Sequence, residues 1–431
     1  MDSISSSSSS GSSACSGLVV VGLGYVGLPL ALEASRAGLS VVGFDRDPRV
    51  AAALGAGRSH IDDVSDAQVA EMLAAGFEAT ADERVLGRAE TVVICVPTPL
   101  TDDGGPDLGA VRAASAAVAR HLRPGTLVVL ESTSYPGTTE EVVLPILEES
   151  GLTAGTDFRL AFSPERVDPG NPVHGIRNTP KVVGGLTPTC AAVAAAFYGK
   201  FVERVVQAKG TREADMAKLL ENTYRHVNIA LVNEMSVFCH ELGIDLWDAI
   251  DCAATKPFGF QAFRPGPGVG GHCIPIDPNY LSYKVRTLGY PFRFVELAQE
   301  INGRMPRYVV ERSLHLLNRA GRTLEGSRVL LLGVTYKADI ADERESPARR
   351  VAAGLRRLGA DVVFHDPYVQ RWTVDGTDVP RVDPATGSAE ADLTILLQDH
   401  GGYDLEAIGT TANLLLDTRG KAPRRANVEA L

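Results

Sequence analysis

The chain has 431 residues, which at about 100–200 residues per domain predicts two or three domains with well-formed hydrophobic cores. Hydrophobic residues make up 45% and charged residues 22% of it, close to the averages for globular proteins, which excludes disorder, collagen and coiled coil for the bulk of the chain. Its 42 basic and 53 acidic residues give a net charge of −11. This balance argues against nucleic acid or an anionic membrane as a partner, so any phosphate must be bound in a local pocket.

The cysteines and the N-terminus point to a cytoplasmic protein. Six cysteines stand far apart, without a C-x-x-C pair or a zinc-like Cys/His spacing, so we expect free thiols and no metal. The first 15 residues contain the serine run Ser5–Ser10 instead of a signal peptide, and we predict a disordered tail there. The apolar stretch Leu18–Leu32 is broken by glycines and is too short to span a membrane.

From Leu18 onward, short β-branched runs alternate with alanine-rich amphipathic stretches, a pattern typical of βαβ units and a mostly parallel sheet. The predicted strands are Leu18–Val21, Ser40–Phe44, Thr91–Val96, Thr126–Glu131 and Lys181–Val183. Helices are predicted between them, including Leu28–Ala37 and Leu108–His121. Together these elements predict a nucleotide-binding domain over residues 16–208.

Near Thr211 the pattern changes to one long helix, predicted over Glu213–Leu242. With a further helical stretch to about Arg319, it predicts a central domain over residues 209–318. The helix carries more apolar residues than the edge of one domain needs, among them Val227, Leu231 and Met235, and we expect it to form the core of a homodimer.

The βα rhythm then returns. Strands are predicted at Arg328–Gly333, Asp361–His365, Asp392–Leu397 and Asn413–Asp417, which define a smaller domain over residues 319–431. The expected fold class is therefore α/β, with two Rossmann-like parallel-sheet domains joined by a central long-helix domain. Ligands of such folds bind at the carboxyl ends of the strands.

The hexapeptide Gly22–Gly27 has the sequence GLGYVG, directly follows a predicted strand and opens a predicted helix. In that context a G-x-G-x-x-G motif predicts a dinucleotide site, with the phosphates at the helix N-terminus. Asp45 follows 23 residues after Gly22, where an acid accepts hydrogen bonds from the adenosine ribose and disfavours a 2′-phosphate. NAD is therefore predicted over NADP, although the neighbouring Arg46 also fits a 2′-phosphate.

The segment Gly266–Asp277 reads GPGVGGHCIPID and holds four glycines in its first six residues. Such a loop lets backbone N–H groups close around an anion or lets a substrate approach a side chain. Cys273 stands at the end of this loop. An isolated cysteine is most often an inert core residue, but beside a nicotinamide a thiol can trap an aldehyde as a thiohemiacetal, and a second oxidation then gives a thioester.

With other motifs, these segments resemble the UDP-glucose/GDP-mannose dehydrogenase family, NAD-dependent enzymes that oxidise C6 of a nucleotide sugar to a uronic acid. The resemblance runs from about Leu18 to the C-terminus. Its landmarks are Gly22–Gly27, Val96–Pro99, Ser132 with Thr133, Ser163–Glu165, Lys218 with Asn222, Gly270–Asp277, Gly333–Lys337 and Arg344–Ser346.

The resemblance implies the catalytic residues. Cys273 would be the nucleophile of the second oxidation, Glu165 the general base for thioester hydrolysis, and Thr133 a residue that orients a water. Asp277 would act with the water that accepts protons, although a carboxylate there equally fits a cap of the following helix. Lys218 and Asn222, four residues apart on one helix face, would stabilise alkoxide and oxyanion charge, whereas without the family a solvated face is the simpler interpretation.

The resemblance also implies two sets of binding residues. The NAD set is Gly22, Gly24, Tyr25, Val26, Gly27, Asp45, Arg46, Pro97, Thr98 and Thr133. The UDP-sugar set is Glu165, Arg166, Lys218, Asn222, Phe260, Arg264, Gly270, Lys337 and Arg344.

The substrate is expected to be a UDP-N-acetylhexosamine, with UDP-N-acetylglucosamine favoured. The stretches Ser163–Asn171 and Lys256–Phe260 look like those of UDP-N-acetylglucosamine 6-dehydrogenases, whereas Arg264 departs from that branch. The alternatives are UDP-glucose or UDP-N-acetylmannosamine as substrate, a two-electron dehydrogenase that makes no use of the thiol, and a non-catalytic protein that binds NAD and a nucleotide sugar.

Overall fold

The first sheet is built from short runs of apolar, mostly β-branched residues that are buried on both faces, as parallel strands covered by helices require. The computed structural model describes residues 16–101, 105–168, 171, 173–271 and 274–431. The predicted tail and Cys273 lie outside these residues. The eight strands of the sheet are β1 (Ser16–Val21), β2 (Val41–Phe44), β3 (Glu78–Thr80), β4 (Ala89–Ile94), β5 (Leu127–Leu130), β6 (Arg159–Phe162), β7 (Lys181–Gly185) and β8 (Val205–Gln207).

The strand order is β3-β2-β1-β4-β5-β6-β7-β8, and every neighbouring pair is parallel except β6 with β7. Alternation along β1 sends Leu18 and Val20 into the core on one face of the sheet, and Val19 and Val21 into the core on the other. The chain reverses its direction of winding between β1 and β4, which is where doubly wound sheets bind their ligands.

Helices connect these strands. They are α1 (Gly27–Arg36), α2 (Pro48–Gly55), α3 (Asp66–Ala74), α4 (Gly109–His121), α5 (Leu144–Glu148) and α6 (Pro188–Tyr198), followed by the long α7 (Thr211–Glu241). The helix predicted over Glu213–Leu242 is thus confirmed to within two residues at each end. The chain divides into two compact units after Lys218, inside α7.

The second unit, from Leu219 to the C-terminus, continues with helices and a second parallel sheet. Its helices are α8 (Leu246–Ala254), α9 (Asp277–Thr287), α10 (Arg293–Arg319), α11 (Pro347–Arg357), α12 (Pro384–Glu390) and α13 (Leu405–Thr411). Its strands are β9 (Arg328–Leu332), β10 (Asp361–His365), β11 (Trp372–Val374), β12 (Thr377–Val379), β13 (Leu393–Leu396), β14 (Leu415–Asp417) and β15 (Val428–Ala430).

The five-stranded sheet has the order β10-β9-β13-β14-β15 and is parallel throughout, while β11 and β12 form a separate antiparallel pair. The fold class is therefore as predicted, with parallel sheets in the N-terminal and C-terminal parts of the sequence and a mainly helical stretch between them in chain order. The domain boundaries at 208 and 318 stay a prediction. Within the described ranges, no helix is both long and apolar enough to cross a membrane, and no three potential ligand side chains are grouped to hold a metal.

Candidate functional site

The turn after β1 gives each of its three glycines a distinct role. Gly22 has a φ of 90°, and a Cβ on it would lie 2.9 Å from the carbonyl oxygen of Cys95. A Cβ on Gly27, the first residue of α1, would lie 1.9 Å from the carbonyl oxygen of Gly22. Gly24 has no atom within 4 Å of its Cβ position, so its backbone is open to a ligand. The turn thus leaves a cradle for a pyrophosphate at the N-terminus of α1.

Asp45 follows β2 and is hydrogen-bonded to the backbone of the glycine turn. Its Oδ2 accepts a hydrogen bond from the Leu23 N–H at 3.0 Å, and its Oδ1 accepts one from the Asp47 N–H at 2.9 Å. The carboxylate is half-buried beside the turn, whereas Arg46 and Tyr25 are exposed. Val26 is the residue that precedes α1. The cradle and this acid fit a dinucleotide with a free adenosine ribose.

The segment that follows β5 is tied to its neighbour after β4. The Ser132 hydroxyl donates a hydrogen bond to the Val96 carbonyl at 2.7 Å. The next residues of that neighbour are Pro97, which is exposed, and Thr98, which is buried. Since β4 and β5 are adjacent and parallel, two segments of the predicted NAD set meet at the same edge of the sheet.

One face of α7 is hydrogen-bonded through side chains to the segment 133–140. Lys218 Nζ donates to Thr133 Oγ1 at 2.5 Å, Ser134 Oγ donates to Asp215 Oδ2 at 3.2 Å, and Thr211 Oγ1 donates to Glu140 Oε1 at 2.6 Å. Residues 211, 215 and 218 are spaced four and three apart, so they share one face of the helix. Lys218 is buried, which excludes the solvated-face interpretation for this lysine.

Glu165, three residues beyond β6, has both carboxylate oxygens engaged. Its Oε1 accepts from the backbone N–H groups of Arg166 and Val167 at 2.7 and 2.6 Å, and its Oε2 accepts from Lys181 Nζ at 3.1 Å. Burial would raise the pKa of Glu165, but the Lys181 ammonium and the Val167 N–H outweigh it and lower that pKa to about 2. The Arg166 guanidinium donates to the Pro180 carbonyl at 2.7 Å.

The sequence analysis missed two charged residues behind Glu165. Lys181 also contacts Glu131 Oε1, and the Tyr198 hydroxyl donates to Glu131 Oε2 at 2.7 Å. Burial raises the pKa of Glu131 to about 7, against the opposing effect of the Lys181 ammonium. The available signal was their position: Glu131 directly precedes the Ser132-Thr133 motif, and Lys181 opens a strand that is otherwise apolar.

In the second unit, Asn222 and Asp277 form a buried pair. Asn222 Nδ2 donates to Asp277 Oδ2 at 2.7 Å. Asp277 is the first residue of α9, and the cap position itself is occupied by Ile276, which makes no side-chain cap bond. The pairing with Asn222 therefore gives Asp277 a buried partner on another helix. Burial also excludes the solvated-face interpretation for Asn222.

The glycine-rich loop is packed against other parts of the second unit. A Cβ on Gly270 would lie 2.7 Å from Tyr336 Cβ, and one on Gly271, whose φ is 84°, would lie 2.6 Å from the Tyr336 ring. The Gly271 N–H donates to the Arg344 carbonyl at 3.1 Å. These two glycines are thus required by close packing of the protein on itself, a reason that the sequence analysis did not foresee. Cys273 follows this loop outside the described residues.

The loop after β9 carries Lys337 and Arg344. The Arg344 guanidinium pairs with Asp342 at 2.6 Å, and the Lys337 carbonyl accepts from Thr335 Oγ1 at 2.8 Å. Two further buried residues support this loop: His400 accepts from the Asp339 N–H at 2.9 Å, and its other ring nitrogen lies 3.0 Å from Asp366 Oδ2. Both were missed, because each follows a strand as an isolated polar residue.

Two predicted sugar-binding residues do not join these clusters. Phe260 is exposed, as are its neighbours back to Lys256. Arg264 pairs with Asp251, and its guanidinium also donates to the Trp247 carbonyl at 3.2 Å. The arginine that departs from the expected pattern therefore has local acidic and carbonyl partners.

Comparison with known protein families matches each of the three parts of the chain in turn. Three models of the UDP-glucose/GDP-mannose dehydrogenase family match in chain order: the NAD binding domain over residues 16–202, the central domain over 212–304 and the UDP binding domain over 330–422. The chain belongs to this family. The NAD binding domain contains the glycine turn, Asp45, Thr133 and Glu165, and the UDP binding domain contains Lys337 and Arg344.

Individual relatives agree with this assignment. The chain is 36% identical to UDP-N-acetyl-D-glucosamine 6-dehydrogenase of Pseudomonas aeruginosa, over 82% of this chain and 83% of that one. It is 34% identical to NDP-N-acetyl-D-galactosaminuronic acid dehydrogenase of Ralstonia solanacearum, over 93% and 95%. The solved structure of UDP-D-ManNAc dehydrogenase from Pyrococcus horikoshii matches with a TM-score of 0.86 at 32% identity, over 96% and 98%. The protein is an NAD-dependent nucleotide-sugar dehydrogenase, an oxidoreductase.

The cofactor preference can be tested at Asp45. The Asp45→Ala variant is expected to raise the KM for NAD and to narrow the preference over NADP, because the ribose loses an acceptor and a 2′-phosphate is no longer repelled. Steady-state titration of both cofactors measures this. Asp45→Asn is the matched control, since its amide oxygen can still accept from the Leu23 N–H while the charge is gone. A wild-type protein that prefers NADP would contradict the prediction and point to Arg46.

Proposed function

We propose that this dehydrogenase oxidises C6 of a UDP-N-acetylhexosamine, with UDP-N-acetylglucosamine as the expected substrate, to the uronic acid in two steps. The names of the three relatives above support the class of sugar, since each names an N-acetylated hexosamine or its uronic acid. UDP-N-acetylmannosamine is the second candidate, favoured by the match to the Pyrococcus horikoshii structure. The proposed reaction removes four electrons and uses two NAD.

One observation carries the proposed chemistry. At the carboxyl edge of the first sheet lie a glycine turn open at Gly24, Thr133 bonded to the buried Lys218, and Glu165 with its charge held by Lys181. A dinucleotide cradle, a buried cation and a fixed carboxylate are the groups that oxidation of an alcohol and hydrolysis of an acyl intermediate need. When bound, NAD accepts a hydride in each oxidation.

The side chains then have separate roles. Lys218 meets the negative charge that develops on the substrate oxygen, and Asn222, oriented by Asp277, donates to the same kind of charge. The Cys273 thiolate adds to the aldehyde carbonyl to form a thiohemiacetal, whose oxidation leaves a thioester. Glu165 takes a proton from water as the oxygen of that water bonds to the thioester carbonyl, and the carbon–sulfur bond breaks to release the thiolate.

Counting NADH tests the proposal. On a panel of UDP-N-acetylglucosamine, UDP-N-acetylmannosamine and UDP-glucose, the first is expected to give the highest kcat/KM and two NADH for each sugar consumed. The Cys273→Ala variant should make no uronic acid, because the aldehyde has no covalent trap. Cys252→Ala, at an exposed free cysteine, is the matched control and should behave as wild type. One NADH per sugar, or a Cys273→Ala variant with wild-type turnover, would overturn the proposal.

The role of Lys218 predicts a specific kinetic pattern. Lys218→Ala should lower kcat by about 10²–10³ with little effect on UDP-sugar binding, because the charge that it meets exists mainly in the transition state. Steady-state kinetics beside calorimetric binding of the UDP-sugar separates the two effects. Lys200→Ala, at an exposed lysine of the same unit, serves as control. Unchanged kcat would remove Lys218 from the mechanism, and lost binding at normal kcat would make it a substrate anchor.

We also propose a homodimer through α7. Within the second unit this helix exposes a stripe of large apolar side chains at spacings of four, seven and seven residues: Leu220, Tyr224, Leu231 and Phe238. Leu242, which directly follows the helix, is exposed as well. Such a stripe on one helix face is typical of a helix that packs against another. Of the three residues on which the dimer was predicted, Leu231 is 53% exposed and lies in the stripe, whereas Val227 and Met235 are half-buried.

Light scattering tests the dimer. At micromolar concentration the mass is expected to be about twice the 45.7 kDa of one chain. Leu231→Glu should lower it to that of a single chain, because a charge would be buried without a partner at the interface. Leu358→Glu, at an exposed leucine outside the stripe, should leave the dimer intact. A wild-type mass of one chain would refute the dimer.

A further inference from the structure

Behind Glu165 lie two charged side chains, Lys181 and Glu131, that the proposed reaction does not use directly, and with Glu165 they form a group of three. Lys181 is 5% exposed and bridges Glu165, which is 13% exposed, and Glu131, which is fully buried. Two carboxylates and one ammonium carry a net charge of −1, and one additional proton would make the group neutral. An unbalanced buried charge is costly, so this group has a strong tendency to take up one proton.

The hydrogen bonds decide which carboxylate accepts that proton. Glu165 is held in its charged form by two backbone N–H groups, by Lys181 and by a hydrogen bond with the Glu131 side chain. Glu131 has the Lys181 ammonium on one oxygen and the neutral Tyr198 hydroxyl on the other. Glu131 is therefore the more basic of the two, in keeping with its raised pKa and the lowered pKa of Glu165.

Among the described residues, four titratable groups face Glu131: Lys181 of β7, Glu165 after β6, Tyr198 of α6 and Cys95 after β4. None of these four exchanges a proton near neutral pH. Burial raises the pKa of the Cys95 thiol and of the Tyr198 hydroxyl, so both stay neutral. The titration of this cluster near neutral pH therefore belongs to Glu131.

We infer that Glu131 and Lys181 form a proton-holding unit behind Glu165, in which Lys181 orients the Glu165 carboxylate and Glu131 stores the proton that Glu165 takes from water. The inference rests on the proposed function of Glu165 as the base in thioester hydrolysis. The proton passes from Glu165 to Glu131 along the hydrogen bond between their carboxyl groups, while the Lys181 ammonium keeps its three protons and balances the charge. Lys181 remains an ammonium, Glu165 returns to a carboxylate and Glu131 becomes neutral; the proton leaves by the reverse route when the product has gone.

The inference predicts how kcat depends on pH. The unit can accept a proton only while Glu131 is ionised, so kcat should rise with pH through the pKa of Glu131, which is about 7. In the Glu131→Gln variant this rise, the acidic limb of the pH profile of kcat, should disappear. The variant's kcat should fall about 10²-fold, and the Cys273 thioester should accumulate as an added mass on the intact protein. The KM for the UDP-sugar should stay within about twofold, since Glu131 lies behind Glu165.

Tyr198→Phe provides a second variant that only changes the basicity of Glu131. It removes the hydroxyl that stabilises the ionised carboxylate, so the limb should move to higher pH by about one unit while the plateau kcat is retained. Tyr308→Phe is the matched control, because its hydroxyl lies 3.3 Å from Arg312 in the other unit and should leave the profile unchanged. A merely structural role for the cluster would lower the Tm in these variants without moving the limb.

The outcomes separate this inference from the proposed function. Wild-type protein that yields two NADH per sugar, with a Glu131→Gln profile like that of wild type or an unshifted Tyr198→Phe limb, would overturn the proton-holding unit alone. If the wild type produced no uronic acid from any UDP-sugar, the proposed function would fail before the variants were compared. Loss of the limb in Glu131→Gln together with its upward shift in Tyr198→Phe would support the inference.

Discussion

The constraint on which the first unit depends is that its strands β1, β2, β4, β5 and β6 all run in the same direction. Helical crossovers return the chain each time to the same starting edge, so whatever follows a strand collects at the opposite edge. The glycine turn follows β1 and Asp45 follows β2. Thr98, Thr133 and Glu165 follow β4, β5 and β6. Strand direction thereby brings residues that are far apart in sequence to the same edge of the sheet. The second unit repeats the rule, with Lys337, Asp366 and His400 after its strands β9, β10 and β13.

Much of the fold could be predicted from the sequence, because parallel strands that are buried on both faces are continuous apolar runs. The strands that carry the glycine turn and Asp45 are runs of buried valines and leucines next to turn residues, and they were predicted within two residues. By contrast, β3 was missed because Glu78–Thr80 is short, partly exposed and lies at the edge of the sheet. The strand β6 was missed because its four residues include Arg159 and Ala161, and so lack the β-branched run that marked the others.

The residues of the candidate site likewise fall into those that the sequence predicts and those that it does not. A motif with a fixed spacing, such as Gly22–Gly27, carries its own geometry, and so the roles of its glycines could be predicted. A buried charge cannot be predicted in this way, because Lys181 and Glu131 are 50 residues apart and each alone resembles an exposed side chain at the end of a strand. The ion pair between them is recognised only once the fold has brought the two residues together. Burying three charges is weak evidence for stability, since well-packed apolar side chains often do as well. A chemical role is therefore the better explanation for such a cluster.

The close packing of Gly270 and Gly271 on Tyr336 has a consequence for protein engineering. These positions are about 65 residues apart in sequence, yet each glycine leaves less than 3 Å between its absent Cβ and the tyrosine. The loop and the ring can therefore be exchanged only together. A chimaera that takes the segment 266–271 from one relative and the segment 335–345 from another would combine surfaces that never adapted to each other. In recombination of such enzymes, crossovers between these segments should be avoided, and crossovers that keep both from the same parent should preserve the loop.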